Sequence, residues 1–148
     1  MTSTEQKLLE IARKKHVSEK EIGYFENHVE DYPSCWGNLY LWSIESENYE
    51  LTDYILLLGF NPNNDFQVYS EIILSFGYKR RSYVNRIIQY GFIIDKQLLN
   101  SVRLTIPDLK YFDYELFNEI VLNERNKKIH KILGIIRAEV QKPFQDSG

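Results

Sequence analysis

The chain of 148 residues has little of what secreted and membrane proteins depend on. Its single cysteine, Cys35, excludes an internal disulfide and is compatible with a reducing cytosol. No apolar run approaches the roughly 20 residues that span a bilayer. The N-terminus is amphipathic, carries acids and lacks the apolar core of a secretory signal. We therefore expect a single cytoplasmic domain, residues 1–148, that does not bind a membrane.

The sequence also lacks the motifs that identify common enzymes. It has no Gly-x-Gly-x-x-Gly and no P-loop. None of its three histidines, His16, His28 and His130, has a second histidine or a cysteine at metal-ligand spacing, which argues against zinc. Cys35 has no local signature of a thiol nucleophile and is interpreted as a small residue in a turn. We expect no enzymatic activity, cofactor or metal; a small helical hydrolase that uses His28 or His130 is the least favoured alternative.

The net charge of −3 conceals an acidic segment between His16 and Asp65. Ten acids and a single base, Lys20, give this segment a charge of −9, so the remaining residues sum to +6. Such a field steers a basic partner and repels nucleic acid, although the same acids would also suit a solvated helical surface. The acids are Glu19, Glu21, Glu26, Glu30, Asp31, Glu45, Glu47, Glu50, Asp53 and Asp65.

Apolar periodicity predicts helices from the first residues onward. A helix over residues 4–15 has Ser3 and Gln6 as a capping box, and a second helix begins at the capping box of Ser18 and Glu21. Pro33 is expected to end that second helix. Residues 32–37 then form a tight connection.

The stretch 38–63 is the clearest structural unit in the chain. It predicts a short helix from Leu39 to Glu45, a turn near Glu47, and a second helix to Leu58, closed by Gly59. A looser copy over residues 66–94 is closed by Gly91, which lies 32 residues after Gly59. A period of this length, built from helix pairs, indicates units that stack on their neighbours.

The central stretch resembles an ankyrin repeat, most specifically in its ending Leu56-Leu57-Leu58-Gly59-Phe60-Asn61-Pro62-Asn63. It departs from that family in three ways: Asn38-Leu39-Tyr40-Leu41 replaces the threonine-proline-leucine-histidine tetrapeptide, Ser43 and Ile44 replace alanines, and Glu47 replaces a glycine. The second unit has Ile94 where proline is expected. The resemblance covers about 60 residues and implies an all-α fold, a short ankyrin-like α-solenoid of antiparallel helix pairs with divergent ends.

Further helices are predicted in the remaining third of the chain. Asp95 caps a helix to about Val102, and Pro107 opens a short one. Two more are predicted at Tyr114–Leu122 and Arg125–Val140, the latter running through Gly134, and residues 142–148 form a frayed tail after Pro143. The basic runs Lys79–Arg81 and Arg125–Lys131 admit a phosphate-binding interpretation, which is a minor alternative because acids surround them elsewhere.

Acids interleaved with aromatic residues indicate a protein-binding surface, because tyrosine and tryptophan anchor interfaces and carboxylates favour cationic partners. Ankyrin-type partners usually meet the turns and the inner helices, and by resemblance this surface falls on much of the same segment. We predict a non-enzymatic immunity protein or antitoxin that covers a basic toxin, such as a nuclease. The alternative is an adaptor or effector that binds a host protein. The predicted partner-binding residues are Glu30, Asp31, Tyr32, Trp36, Glu45, Glu47, Tyr49, Glu50, Tyr69 and Tyr78.

Overall fold

The computed structural model describes residues 1–94, 98 and 112–146. These residues form helices joined by turns and loops, and they contain no strand. The prediction of an all-α protein is confirmed for this part of the chain. The predicted helices that start at Asp95 and Pro107 lie outside the described residues. The described α-helices are α1 (Ser3–Ala12), α2 (Glu19–His28), α3 (Trp36–Glu45), α4 (Tyr49–Leu57), α5 (Phe66–Gly77), α6 (Arg81–Gln89) and α7 (Tyr114–Asp146).

The chain divides into two compact units, Met1–Phe112 and Asp113–Gly148. In the first unit α3 is central, since it packs against α1, α4, α5 and α6. None of the described helices is long and apolar enough to cross a membrane. The fully buried large side chains of the first unit are Leu8, Ile11, Phe25, Leu39, Tyr40, Ile44, Leu51, Ile55, Ile72, Phe76, Ile87 and Phe92.

Two capping boxes open the first two helices. Ser18 and Glu21 cap α2 as predicted, each bonding the other's backbone N–H. The box of α1, however, is Thr2 with Glu5 and not Ser3 with Gln6, so this helix begins one residue earlier. Both boxes satisfy backbone donors that a helix N-terminus leaves without partners.

The connection between α2 and α3 differs from the prediction. Helix α2 ends at His28, well before Pro33, and two 3-10 turns follow at Val29–Asp31 and Pro33–Cys35. Proline is accepted at the start of the second turn because its missing N–H would be unpaired there. Helix α3 then starts at Trp36, so Trp36 and Gly37 are helical and not part of a loop.

Helices α3 and α4 form a first pair, and α5 and α6 a second pair, with equivalent turns 32 residues apart. Within each pair the turn residue has a positive φ, 60° at Glu47 and 56° at Lys79. After each pair the closing residue is a glycine with positive φ, 98° at Gly59 and 108° at Gly91. The predicted closing glycines are thus confirmed, and left-handed backbone is easiest for glycine.

Polar side chains connect these pairs to their neighbours. Ser46 Oγ donates to the carbonyl of Ala12 at 2.6 Å, so the turn between α3 and α4 satisfies a backbone carbonyl at the C-terminus of α1. The loops that follow the two pairs are joined through Asn63, whose amide donates to the Ile93 carbonyl at 2.8 Å and accepts from the Ile93 N–H at 2.9 Å.

In the second unit, α7 is one helix of 33 residues. The predicted separate helices at 114–122 and 125–140 are continuous, and the helix extends beyond its predicted end at Val140 to Asp146, into the predicted frayed tail 142–148. Asp113 accepts a hydrogen bond from the N–H of Leu116 at 3.1 Å, which caps its start. Leu116, Phe117 and Ile120 are buried, whereas the described side chains beyond Leu122 are exposed with the exception of the half-buried Glu124.

Candidate functional site

The predicted partner-binding residues do not form one surface, because they lie at different places around α3 and α4. Glu30 and Asp31 are exposed in the first 3-10 turn, and Tyr32 and Trp36 are half-buried beside it. The indole N–H of Trp36 donates to the carbonyl of Val29 at 2.8 Å, which fixes the ring against the turn. These four residues form the group at the N-terminal end of α3.

Glu45 and Glu47 lie at the other end of α3, about 13 Å further along at 1.5 Å per residue. Glu45 pairs with the guanidinium of Arg80 at 3.2 Å, and Glu47 pairs with Lys15 at 2.9 Å. The hydrogen bond from Lys15 lowers the pKa of Glu47, and the same contact raises the pKa of Lys15. Both carboxylates are exposed, and each already has a cationic partner within the molecule.

Tyr49 and Glu50 lie on α4. The ring of Tyr49 stacks on that of Tyr90, with 4.8 Å between centroids and 6° between planes. Burial and the nearby carboxylate of Asp53 raise the pKa of Tyr90. Glu50 is exposed, so of the two predicted residues on α4 one is an unpaired carboxylate and the other is a ring that already stacks within the molecule.

Tyr69 belongs to the core, contrary to its prediction as a surface residue. Its side chain is 8% exposed, and its ring packs edge-on against Phe92 at 5.2 Å. Apolar spacing cannot distinguish a buried tyrosine from an interface tyrosine, because both lie on the apolar side of a helix. Tyr78, by contrast, is 77% exposed at the C-terminus of α5.

The acidic segment separates into paired and unpaired carboxylates. Glu21, Glu45 and Glu47 form ion pairs, and Asp65 caps α5 by accepting from the N–H of Val68 at 3.0 Å. The other six acids are exposed and make no ion pair with a described residue. They lie on α2, α4 and the first 3-10 turn, and they are Glu19, Glu26, Glu30, Asp31, Glu50 and Asp53.

Helices α2 and α4, which carry several of these unpaired acids, contact each other through Tyr54. The hydroxyl of Tyr54 donates to the carbonyl of Glu26 at 3.4 Å, and the Tyr54 ring packs edge-on against Phe25. We call Glu26, Glu30, Asp31, Glu50 and Asp53 the outer acidic face. Its field is not cancelled by neighbouring bases, so it can act on charges outside the molecule.

A groove of about 460 Å³ runs between α3 and α5, on a different part of the first unit. Its rim carries Phe66, a large apolar side chain that is 84% exposed. A second hollow of about 430 Å³, lined by Arg13, Trp42, Glu45 and Ser46, adjoins the groove at Trp42 and Glu45. The groove is lined by Asn38, Leu41, Trp42, Glu45, Phe66, Gln67, Ser70, Glu71, Arg80 and Tyr83.

Arg80 lines the groove and Arg13 lines the adjoining hollow; the sequence analysis named Arg80 only within the basic run Lys79–Arg81 and did not single out Arg13. The guanidinium of Arg13 lies 3.5 Å from the centroid of the Trp42 ring, which is a cation–π geometry. Arg80 is shared between the carboxylates of Glu45 at 3.2 Å and Glu71 at 3.5 Å. Its own sequence context is a basic run, so only the fold reveals that its partners are acids from two other helices.

Cys35 is poorly suited to be a nucleophile. Its thiol is buried and donates to the carboxylate of Glu5 at 3.2 Å. Burial, together with this carboxylate, raises the pKa of Cys35, which disfavours the reactive thiolate. The same hydrogen bond is the main cause of the lowered pKa of Glu5.

In the part of the chain that the structure describes, the histidines form no site with other ligating groups. His16 and His130 are exposed; the ring of His28 stacks on Tyr24 at 4.1 Å, and its Nδ1 bonds the Tyr24 carbonyl at 2.8 Å. Among the described residues, no three histidine, cysteine, aspartate or glutamate side chains are placed to hold a metal ion.

The chain matches no protein-family model, and it has no significant match among curated proteins or solved structures. Its function therefore has to be inferred from the geometry of this molecule alone.

Proposed function

We propose that the chain is a non-enzymatic protein-binding module whose partner presents a basic surface. The observation that carries this proposal is the groove between α3 and α5, with Trp42 in its lining and the exposed ring of Phe66 on its rim. Partly buried aromatic side chains in a concave surface are the usual anchors of protein interfaces. An exposed phenylalanine has no stabilising role in the free protein and gains most from being covered.

The charges in the groove favour a cationic partner. The charged residues that line the groove are Glu45, Glu71 and Arg80, so the lining has a net charge of −1; Arg13 lies over Trp42 in the adjoining hollow. A lysine or arginine of the partner can pair with either carboxylate while Arg80 keeps the other. An acidic partner would have to approach two carboxylates already held close together, which costs free energy.

The outer acidic face contributes in a different way. Its exposed carboxylates lie outside the groove, so they raise the association rate with a basic protein more than they lower the dissociation rate. Anchoring and steering are thus assigned to two surfaces, whereas the sequence analysis placed both mainly on the acidic, aromatic-rich segment.

The architecture that we propose for this module is a short ankyrin-like stack of helix pairs. Its support is the 32-residue period of the positive-φ turns and closing glycines, together with the packing of α1 on α3 and of α3 on α5. In such a stack the inner helices line a concave surface, which is where the groove lies.

The most concrete form of the proposal is a cytoplasmic bacterial immunity protein, or antitoxin, for a basic toxin such as a nuclease. A nuclease must attract phosphate and therefore exposes cations, which an inhibitor with carboxylates at its surface can cover. Nucleic acid itself is not the expected ligand, because the outer acidic face repels phosphate.

The test is binding of the purified chain to the basic protein encoded beside its own gene, measured by calorimetry. Replacing Trp42 or Phe66 with alanine should raise the dissociation constant by about tenfold or more, the effect of losing an interface anchor. The matched control is Leu57→Ala, because Leu57 is 85% exposed on α4 and is not part of the groove. No binding by the unmodified chain, or an equal loss in the control, would reject the proposal.

The steering role has a separate test. Replacing Glu30, Asp31 and Glu50 together with lysine should slow association and weaken its dependence on ionic strength. Glu45→Gln, which removes a single carboxylate from the groove, should instead mainly speed dissociation, because this carboxylate contacts the bound partner. Equal effects of the two variants would contradict the assignment of steering to the outer acidic face.

A further inference from the structure

The described side chains of α7 include a line of exposed apolar residues that the proposed function does not use. Leu122, Ile129, Ile132, Leu133 and Ile136 are between 42% and 56% exposed. At 100° per residue they share one side of the helix, and the buried Leu116, Phe117 and Ile120 point in nearly the opposite direction. An apolar stripe of this kind in water favours a covering partner.

The spacing of the stripe is that of a coiled-coil seam. Leu122, Asn126, Ile129, Leu133 and Ile136 follow one another at intervals of four, three, four and three residues. This alternation keeps one narrow line of side chains in contact with a second helix of similar pitch. Asn126 is the polar member of the seam, which lowers stability but restricts register. Lys127 and Lys131 lie on the far side and would stay in water.

The charges beside the seam indicate which helix packs against α7. Arg125 and Glu139 flank the seam on the same side, are exposed, and form no ion pair with another described residue. If two copies of α7 lie antiparallel so that Ile129 meets Leu133 of the other copy, Arg125 of each comes next to Glu139 of the other. A parallel pair would instead set Arg125 beside His130 and Ile132 beside Arg137, with no opposite charges.

We propose that the partner of this stripe is a second copy of the chain, bound through an antiparallel pair of α7 helices. The interface is centred between Ile129 and Leu133, and two reciprocal Arg125–Glu139 ion pairs fix its direction. This surface belongs to the second unit and is independent of the groove, so either proposal can fail without the other.

Sedimentation velocity of the full chain over a concentration series is the primary test, with a dimer expected. Ile129→Gln and Ile136→Gln should each raise the dimer dissociation constant by about tenfold or more. Because both side chains are more than half exposed, these changes leave the helix of a single chain intact, which circular dichroism verifies. The control is Ile135→Gln: Ile135 is 56% exposed but lies off the seam, so dimerisation should be unchanged.

Charge reversal tests the direction of the pair. Arg125→Glu or Glu139→Arg alone should weaken the dimer, and the double variant should restore it, because each exchanged charge again meets its opposite. A chain that stays monomeric to about 100 µM would overturn the proposal. The proposal would also be overturned if Ile135→Gln weakened the dimer as much as Ile129→Gln, or if a monomer bound anionic vesicles through the stripe. A dimer that the double charge variant does not restore would likewise overturn it.

Discussion

The two helix pairs of the first unit share a backbone design but differ in how their interiors are filled. Their turns and closing glycines recur after 32 residues, and a buried serine recurs as well, Ser43 in the first pair and Ser75 in the second. Ser43 Oγ hydrogen-bonds Thr52 Oγ1 at 2.7 Å. The residue equivalent to Thr52 is Val84, and Ser75 Oγ has no hydrogen-bond partner among the described residues. The second pair thus keeps the turn geometry of the first pair but lacks the hydrogen bond that satisfies its buried serine.

The pairs are also locked together by reciprocal tyrosines. Tyr40 of the first pair donates to the carbonyl of Tyr90 at 2.9 Å and lies 3.2 Å from that of Ile87. Tyr83 of the second pair donates to the carbonyl of Leu41 at 3.4 Å. Each pair therefore satisfies backbone carbonyls of the other, a contact that no single repeat could make alone.

The largest effect is expected at Gly37, where the second pair has Tyr69. A Cβ at Gly37 would lie 2.5 Å from a carboxylate oxygen of Asp65, the residue that caps α5. Gly37→Ala should lower the free energy of unfolding by about 2 kcal/mol, since it forces a clash or the loss of the cap.

Urea denaturation measures this effect, and Gly23→Ala is its control. Nothing lies within 4 Å of a Cβ at Gly23, in α2, so alanine there should stabilise the protein by up to about 1 kcal/mol. Equal effects at the two glycines would mean that the approach of Asp65 to α3 is not tight.

The buried serines should respond with opposite signs. Ser43→Ala removes a satisfied hydroxyl and should cost about 1 kcal/mol, whereas Ser75→Ala removes an unsatisfied one and should be neutral or stabilising by a similar amount. Val84→Thr should recreate the contact of the first pair, after which Ser75→Ala should become destabilising. Chemical denaturation of the single and double variants measures the coupling, and a Ser75→Ala loss as large as that of Ser43→Ala would contradict the comparison.

A smaller effect is expected at the two turn residues with positive φ. Lys79→Gly should stabilise the protein by up to about 1 kcal/mol, because glycine adopts this backbone conformation without a steric penalty. Glu47→Gly should stabilise the protein by less, since it also removes the ion pair between Glu47 and Lys15. The melting temperatures of both variants test this order, and a larger gain at Glu47 would reverse it.

The smallest effect concerns alkaline pH. Burial raises the pKa of Tyr40 and of Tyr83 above the usual value near 10. Above that pH the unfolded chain releases protons that the folded chain retains, so the free energy of unfolding is unaffected below pH 10 and falls as the pH rises above it.

Tyr40→Phe and Tyr83→Phe should each reduce the steepness of this fall, although Tyr40→Phe also loses its bonds to the second pair at neutral pH. Urea midpoints measured across the alkaline range provide the comparison with the unmodified chain. Identical slopes in all three proteins would show that other groups control the alkaline transition.

Local rules in the sequence predicted much of this fold. The capping box at Ser18 and the closing residues Gly59 and Gly91 are set by backbone chemistry within a few residues. Apolar periodicity likewise predicted α4. Rules of this kind failed at the first helix, where Thr2 and Ser3 were both suitable capping residues. They also failed between Leu122 and Arg125, where a break was expected although the sequence has no helix-breaking residue there.

The site was less predictable because its charges are paired across helices. Glu45 and Arg80 are 35 residues apart, and nothing in either neighbourhood indicates the other. The composition of residues 16–65 therefore overstated the field near α3, where the described bases cancel part of it. Trp42 and Phe66 lie together only because α3 packs on α5.

The reciprocal tyrosines also have a consequence for how the molecule opens. Freeing α6 from α3 breaks the hydrogen bonds of Tyr40 and Tyr83 at once and exposes both buried rings to water. The amide protons of α3 and α6 should therefore exchange with solvent in one cooperative event, at nearly equal free energy, while those of α1 can exchange earlier. The tyrosines make two repeats into a single unit of local unfolding.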